Sequence, residues 1–259
     1  MESGSDQVSA AVGEKIATVL TLHPRAGFAD ARTNLYYIES IDGGASWRTA
    51  DGAAISLPMI QTKNPSLVQD FQSQGLRVFL HDLAFDAEQR PIIVYVACKG
   101  IEPGPDSAPF SLQTAWWNSQ QWEIHEVTAV DHHDDGGCLW VDDKNQWTLL
   151  APTAPGPHPY HTGGEMVRWT SRDQGKTWNA SSPLTRSTER QHAFPRRPRG
   201  AHPSFAAFWA DGDPGRTSPG SLYFTDQQGR QVWRLPAVLE EDSGAPELTT
   251  APPSDAPTP

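Results

Sequence analysis

Gly163-Gly-Glu-Met-Val-Arg-Trp-Thr-Ser-Arg-Asp-Gln-Gly-Lys-Thr-Trp178 is the stretch on which the reading of this chain rests. Glu165 to Thr170 reads as a strand that enters a tight turn, Ser171-Arg-Asp173-Gln-Gly175-Lys-Thr177-Trp178. The same turn stands earlier as Ser40-Ile-Asp42-Gly-Gly44-Ala-Ser46-Trp47, again behind a strand, Asn34 to Glu39. Each shared residue type has a local task. An Asp side chain accepts hydrogen bonds from the backbone of its own turn, and the second Gly adopts a left-handed conformation without steric cost. The Ser or Thr hydroxyl ties the turn back, and the Trp packs the next strand against its neighbour.

Working outward, the chain divides into four strand-rich units between Asp6 and Pro236. The first holds strands at Lys15 to Leu22 and Arg32 to Ile38, then the turn leading to Ile55-Ser-Leu57. The second pairs Val78 to Phe85 with Pro91 to Ala97, then Leu112 to Trp117 with Trp122 to Val127. Its turn, Asn118-Ser-Gln-Gln-Trp122, keeps the Trp without the Asp and Gly. The third repeats the plan with Cys138 to Val141, Trp147 to Ala151, Glu165 to Thr170 and Trp178 onward. The fourth has His192 to Arg197, Phe205 to Trp209, Ser221 to Phe224 and Val232 to Leu235. Asp42 and Asp173 are 131 residues apart with one complete unit between them. The spacing is about 65 per unit, above the ~40–50 of common propeller repeats, so the loops are long.

Composition agrees with short strands and many turns: 23 Pro, 21 Gly and 10 Trp in 259 residues disfavour long helices. A net charge of −11 argues against nucleic acid or an anionic membrane as a general partner. No apolar run is long enough to cross a membrane, and no secretory signal is visible. Cys98 and Cys138 read as two buried free thiols. Residues 1–6 read as a disordered N-terminus and 7–238 as the folded domain. Residues 239–259, acidic and then rich in Pro, Thr and Ala, read as a disordered tail.

The repeated turn is the Asp-box, with Ser40, Asp42, Gly44 and Trp47 in one copy and Ser171, Asp173, Gly175 and Trp178 in the other. The chain resembles the sialidase-like, BNR-repeat β-propellers, above all the secreted ulvan-lyase-like group. Further stretches carry the likeness: Arg32-Thr-Asn-Leu-Tyr-Tyr37, Asp82-Leu-Ala-Phe-Asp86 with Pro91-Ile-Ile-Val-Tyr95, and Asp131-His132 with Asp135-Gly-Gly137. Gly156-Pro157, Tyr160 with Gly163-Gly-Glu165, Arg196-Arg-Pro198, Phe208-Trp-Ala-Asp-Gly212 and Leu222-Tyr-Phe224 complete the set. The resemblance implies an all-β propeller of about four blades, incomplete or strained as a ring, because relatives carry further blades upstream. It also implies a secreted or periplasmic protein that meets a polysaccharide or oligosaccharide.

Propeller topology sorts the loops. In a blade A-B-C-D the Asp-box is a C–D turn, on the face opposite the usual pocket, and therefore structural. The B–C loops and D–A connections share the other face, and they concentrate the chemistry-bearing residues. Asp131-His-His-Asp-Asp135 is the densest cluster. It reads as acid–base machinery, as a site for a divalent ion such as Zn or Ca, or as a solvated turn. Adjacent His residues pointing apart weaken the metal reading, and no metal ligand is assigned. Relatives show Asp-His-Asn-Tyr-Asp here, so His132 and Asp135 correspond while His133 and Asp134 depart.

Candidate catalytic residues are His132, Tyr160, His192 and Arg197, a set suited to eliminating across a uronate: one group withdraws a proton, Tyr protonates the leaving oxygen and Arg neutralises the carboxylate. Candidate substrate-binding residues are Arg32, His133, His158, His161, Arg196 and Glu165. Arg196 and Arg197 alternate in a strand, so one of them faces the pocket. Phe194 stands where relatives carry Tyr. A lyase or hydrolase acting on an acidic glycan is the leading expectation; a catalytically silent glycan-binding or protein-interaction propeller is the alternative. Three Arg on separate blades, as a sialidase requires, cannot be placed.

Overall fold

The computed structural model describes residues 6–24, 30–102, 104–236, 238 and 243–249. They form four antiparallel sheets, each a meander of successive strands. The first holds Gln7–Val12 (β1), Lys15–Leu22 (β2), Thr33–Ser40 (β3), Trp47–Arg48 (β4) and Ala54–Ile55 (β5), with Leu67–Gln69 (β6) added beside β3. The second holds Arg77–Phe85 (β7), Pro91–Cys98 (β8), Phe110–Trp117 (β9) and Trp122–Val130 (β10). The third holds Cys138–Val141 (β11), Trp147–Ala154 (β12), Glu165–Ser171 (β13) and Asn179–Ala180 (β14). The fourth holds Gln191–Arg196 (β15), Ala207–Gly212 (β16), Leu222–Thr225 (β17), Val232–Arg234 (β18) and Glu247–Leu248 (β19). This is the all-β propeller arrangement expected, at four blades.

Period-two alternation explains the packing. Every residue of β8 is buried. Ile92, Val94, Val96 and Cys98 point into a core shared with Leu139, Trp147 and Leu149 of the third sheet. Ile93, Tyr95 and Ala97 point the other way, against Ala17, Val19, Leu35 and Tyr37 of the first. One strand thus supplies two cores, each such side chain contributing about 1.5–3 kcal/mol by burial. A third core joins Trp140, Leu150 and Met166 to Trp209, Tyr223 and Val232 of the fourth sheet. Among the described residues no core cluster joins the fourth sheet to the first. Cys98 and Cys138 are free and buried.

The two repeated turns are superimposable in their bonding. Ser40 Oγ donates to Asp42 Oδ1 at 2.7 Å and accepts the Gly44 N–H at 2.9 Å, and the Ser46 N–H reaches Asp42 Oδ1 at 2.9 Å. Ser171, Asp173, Gly175 and Thr177 repeat this at 2.8, 2.9 and 2.9 Å. Those donors hold both aspartates at about 2, below the ordinary carboxylate value, with the Ser46 and Thr177 hydroxyls contributing most. Both turns lie between third and fourth strands, so they are C–D turns. Gly175 has φ +83°, and a Cβ there would lie 2.8 Å from the Trp147 ring; Gly44, at φ +94°, faces open space. Gly175→Ala should therefore cost about 2–4 kcal/mol, strain plus overpacking, and Gly44→Ala about 1–2 kcal/mol, strain alone. Urea midpoints of the two variants check this, and equal losses would contradict it.

A second repeated turn joins A to B. Asp86 accepts the N–H groups of Glu88 and Arg90 at 3.0 and 2.8 Å, and Asp142 those of Lys144 and Gln146 at 2.9 and 2.8 Å. Gln89 and Asn145 take the same left-handed conformation, φ 60° and 59°.

Gln7–Val12 is a full first strand ahead of Lys15–Leu22, paired along β2. Within the stretch expected to be a disordered tail, Glu247–Leu248 adds to the outer edge of the fourth sheet, held by the Arg234–Glu247 ion pair at 2.6 Å and the Thr249 N–H on the Val232 carbonyl at 2.9 Å. Residues 1–5, 239–242 and 250–259 lie outside the described residues.

Candidate functional site

Strand order puts the β2–β3, β8–β9, β12–β13 and β16–β17 loops on the same face as the connections between sheets, and the contacts agree. The β10–β11 connection, 131–137, meets the β12–β13 loop, 155–164. Asp131 Oδ2 accepts the Tyr160 N–H at 3.0 Å, and Asp135 Oδ1 the Gly163 N–H at 2.7 Å. Burial, with Asp131 alongside, raises Asp135 well above the usual carboxylate range.

His132 and His133 do not point apart. Residues 131–134 form a turn rather than extended backbone, and the two rings stack at 4.1 Å and 28°. The far face of His133 lies on Phe79 at 4.2 Å, and the Arg32 guanidinium covers that Phe ring at 5.2 Å. Arg32 is also committed to Asp6, 2.7 Å away, so it ends a stacked column rather than reaching out to a ligand. His132 Nδ1 accepts the Asp134 N–H at 3.1 Å. Its neutral ring therefore carries the proton on Nε2. Burial, aided by His133, lowers its pKa to about 4. At neutral pH His132 is an uncharged N–H donor.

His81, absent from the sequence-based set, joins this group from the middle of β7. Its Nε2 lies 3.0 Å from the His133 carbonyl and so must donate, which leaves Nδ1 with its lone pair. The ring rests on Gly136, where any Cβ would sit 1.9 Å from it. Burial lowers the His81 pKa to about 4. Arg196, from β15 of the fourth sheet, reaches the His81 carbonyl at 3.5 Å. Arg197 instead covers Trp140 at 5.4 Å. The alternation of the pair holds, and Arg196 rather than Arg197 is the one beside the imidazoles. A histidine inside an alternating strand carries no sequence signal that separates it from a core residue, which is why His81 was missed.

Tyr160 is 41 % exposed and has φ +62°, a strained conformation for a non-glycine residue. His158 and His161 flank it, their rings 6.3 Å apart. The His158 ring is fixed by Nε2 at 3.0 Å from the Glu189 carbonyl, and Thr162 Oγ1 touches His132 Nδ1 at 3.3 Å. A cavity of about 200 Å³ opens beside this loop, lined by Asp131, Asp135, Thr153, Pro155 and His158.

His192 and Glu165 do not join the group. His192 is 3 % exposed: its Nδ1 accepts the Trp209 indole N–H at 3.0 Å, and its ring packs edge-on against Tyr223 at 4.9 Å. Glu165 Oε1 accepts the Ser187 N–H at 2.7 Å, while Oε2 lies 3.9 Å from His192 Nε2. Both alternate inward and are buried between the third and fourth sheets.

His132, His133 and Asp134 are close enough together to suggest an ion site. Stacked imidazoles aim their in-plane lone pairs side by side rather than at one point, and His132 Nδ1 is already engaged. Calcium would need six or more oxygens. The residues do not fit Zn or Ca.

The lowered imidazoles set a pH dependence. With folded values near 4 against about 6.5 unfolded, His81 and His132 take up protons on unfolding, so stability falls as pH drops through that window. Asp135 acts in the opposite sense: its raised pKa adds stability at low pH that is lost as pH rises. Asp82, raised by burial in the same way, also opposes the histidines. Asp135→Asn removes one of the two opposing groups, so urea midpoints should rise more steeply than in the wild type between about pH 4.5 and 6.5. A profile no steeper than the wild type's would contradict it.

Four antiparallel meanders, two of them turned by the Asp and Gly repeat, carry their polar loops on one face and define a β-propeller arrangement. Residues 18–130, most of the first two sheets, match a BNR repeat-containing family. Among solved structures, an ulvan lyase from a new family of polysaccharide lyases superimposes with TM-score 0.66 at 17% identity, over 86% of this chain and 51% of that one. The ulvan lyase bound to -[GlcA(1-4)Rha3S]- gives 0.66 at 18%, over 86% and 52%. A protein of unknown function from Dyadobacter fermentans gives 0.53 at 11%, over 85% and 71%. The chain spans about half the length of the two lyase structures. At these identities the likeness is one of fold. No curated protein matches the chain. Among the described residues no helix is long and apolar enough to cross a membrane.

Proposed function

We propose that this chain is part of a carbohydrate-active propeller, secreted or periplasmic, that cleaves an acidic polysaccharide by β-elimination. The observation that carries the proposal is the meeting of Arg196, from the fourth sheet, with neutral His81 of the second, beside the turn that stacks His132 and His133. Guanidinium and a neutral N–H are the donors that a uronate carboxylate, gaining charge as C5 loses its proton, would use. His132, fixed with its proton on Nε2, is such a donor and not the base. Its role in this reading differs from the acid–base duty expected of it. His81 Nδ1 accepts the C5 proton, its basicity raised by the negative charge of the bound substrate. Tyr160 protonates the leaving glycosidic oxygen. The ulvan lyase structures, one of them with a glucuronate-containing fragment, support the substrate class.

The test is incubation with glucuronate-containing polysaccharides, following the unsaturated product by its ultraviolet absorbance. Fragments that lack this chromophore would indicate hydrolysis instead. A second reading, a silent glycan-binding propeller, is favoured by Phe194, 51 % exposed and without the hydroxyl that the resemblance leads one to expect there. Saturable binding of the polysaccharide without cleavage would select it. Recovery of the natural protein in the cytoplasmic fraction would overturn the localisation.

A further inference from the structure

One buried amide organises the whole β12–β13 loop. Gln191 opens β15, is 2 % exposed, and turns its carboxamide into residues 158–163. Its Oε1 accepts the His158 N–H at 3.3 Å. Its Nε2 lies 3.0 Å from the His158 carbonyl, 3.1 Å from that of His161, 3.2 Å from Thr162 and 2.9 Å from Gly163. Four carbonyl dipoles converging on one nitrogen repel one another, and the two amide hydrogens they share offset that repulsion. From the other side, Asp131 and Asp135 take the N–H groups of Tyr160 and Gly163. The loop's carbonyls are thus held by the fourth sheet and its N–H groups by the connection that bears His132. Between these two grips sits Tyr160, in its left-handed conformation.

We propose that Gln191 and Asp131 are positioning residues, which hold the loop 158–163 in the one conformation that presents Tyr160 next to the connection bearing His132. The inference rests on the functional reading above only for what the phenol then does. The holding itself is a separate matter of backbone bonding. The Gln191 carboxamide hydrogen-bonds to backbone atoms of the loop, so it holds the loop's shape rather than any one of its side chains. Its neighbour His192 and the pair at 195–196 belong to the same short strand, so the loop and Arg196 share one support.

The experiment uses the full chain with Gln191→Glu, near-isosteric but placing an oxygen among four carbonyls, and Asp131→Ala, which removes the acceptor for the Tyr160 N–H. Hydrogen exchange should accelerate at the amides of Tyr160, His161 and Gly163 by about tenfold or more, with β8 amides unchanged, as expected of local rather than global opening. On a glucuronate-containing polysaccharide, turnover should fall by about 10–100-fold with KM within about threefold, because a misplaced acid costs the transition state and not substrate binding. Exchange rates at the loop equal to the wild type would overturn the proposal. So would acceleration spread evenly over all four sheets, which would make Gln191 a general stabiliser. If Gln191→Glu does not fold, Asp131→Ala alone decides by the same exchange readout. If the wild-type chain cuts no polysaccharide, the functional reading fails, and the exchange data still decide whether these residues hold the loop.

Discussion

Tyr160→Phe is expected to lower turnover of a glucuronate-containing polysaccharide by about 10²–10⁴-fold, the range for loss of a positioned proton donor. KM should change little, since the ring and its loop remain. The phenylalanine keeps the N–H that Asp131 accepts, so the loop keeps its grip at 3.0 Å. The paired arginines sharpen the test. Arg196→Ala should cost about 10²–10³-fold, as for removal of one preorganised electrostatic donor. Arg197→Ala, whose guanidinium lies over Trp140, should instead cost stability and leave turnover nearly unchanged. Initial rates of unsaturated product, with each variant's fold checked by circular dichroism, decide. If Arg197→Ala is the inactive one, the geometry has been misassigned. A fully active Tyr160→Phe would remove the phenol from the chemistry whatever the arginines do.

Asp86→Ala should produce the largest loss of stability of any substitution considered. The carboxylate is buried and answers four donors. These are the N–H groups of Glu88 and Arg90 at 3.0 and 2.8 Å, Arg90 Nε at 2.7 Å and the Trp116 indole at 2.9 Å. Arg90 also lies over the Trp116 ring at 4.6 Å. Removing the acid leaves the Trp116 indole N–H without its acceptor and the Arg90 guanidinium with Glu88 alone, at the edge of the core between the second and third sheets. The expected cost is about 3–5 kcal/mol, as for breaking one side of a buried ion pair. In a chain of this size that corresponds to a fall in Tm on the order of 10 °C. Asp142→Ala, in the matching turn, removes two backbone bonds and no buried charge partner, and should cost about 1–2 kcal/mol. Calorimetry of the pair checks this. Losses of similar size would show that the turn itself, and not the buried network behind it, sets the energy.

The sequence by itself determined the blades. Local chemistry fixes a Ser-x-Asp-x-Gly-x-Ser/Thr-Trp turn wherever it stands, because its bonds close within eight residues, as both copies do. Period two then assigns each strand residue to one of two faces, which is how β8 came to feed two cores. Once the turns are placed as C–D connections, the loops that share a face follow from antiparallel order alone. His132, Tyr160, His158 and His161 are together for that reason.

What only the tertiary structure decided is where each side chain points once neighbouring sheets pack. Alternation says that one of Arg196 and Arg197 faces the site, and only the approach of the fourth sheet to the second selects Arg196. His192 reads as a loop-edge histidine until Trp209 and Tyr223 close around it. Asp131 to Asp135 reads as a connection whose adjacent histidines point apart, and the turn it forms brings the two rings into contact. His81 sits inside a strand pattern and Gln191 at the edge of one, both with no local mark. Their partners lie 52 and about 30 residues away, a separation across which sequence pattern carries no information and packing supplies all of it.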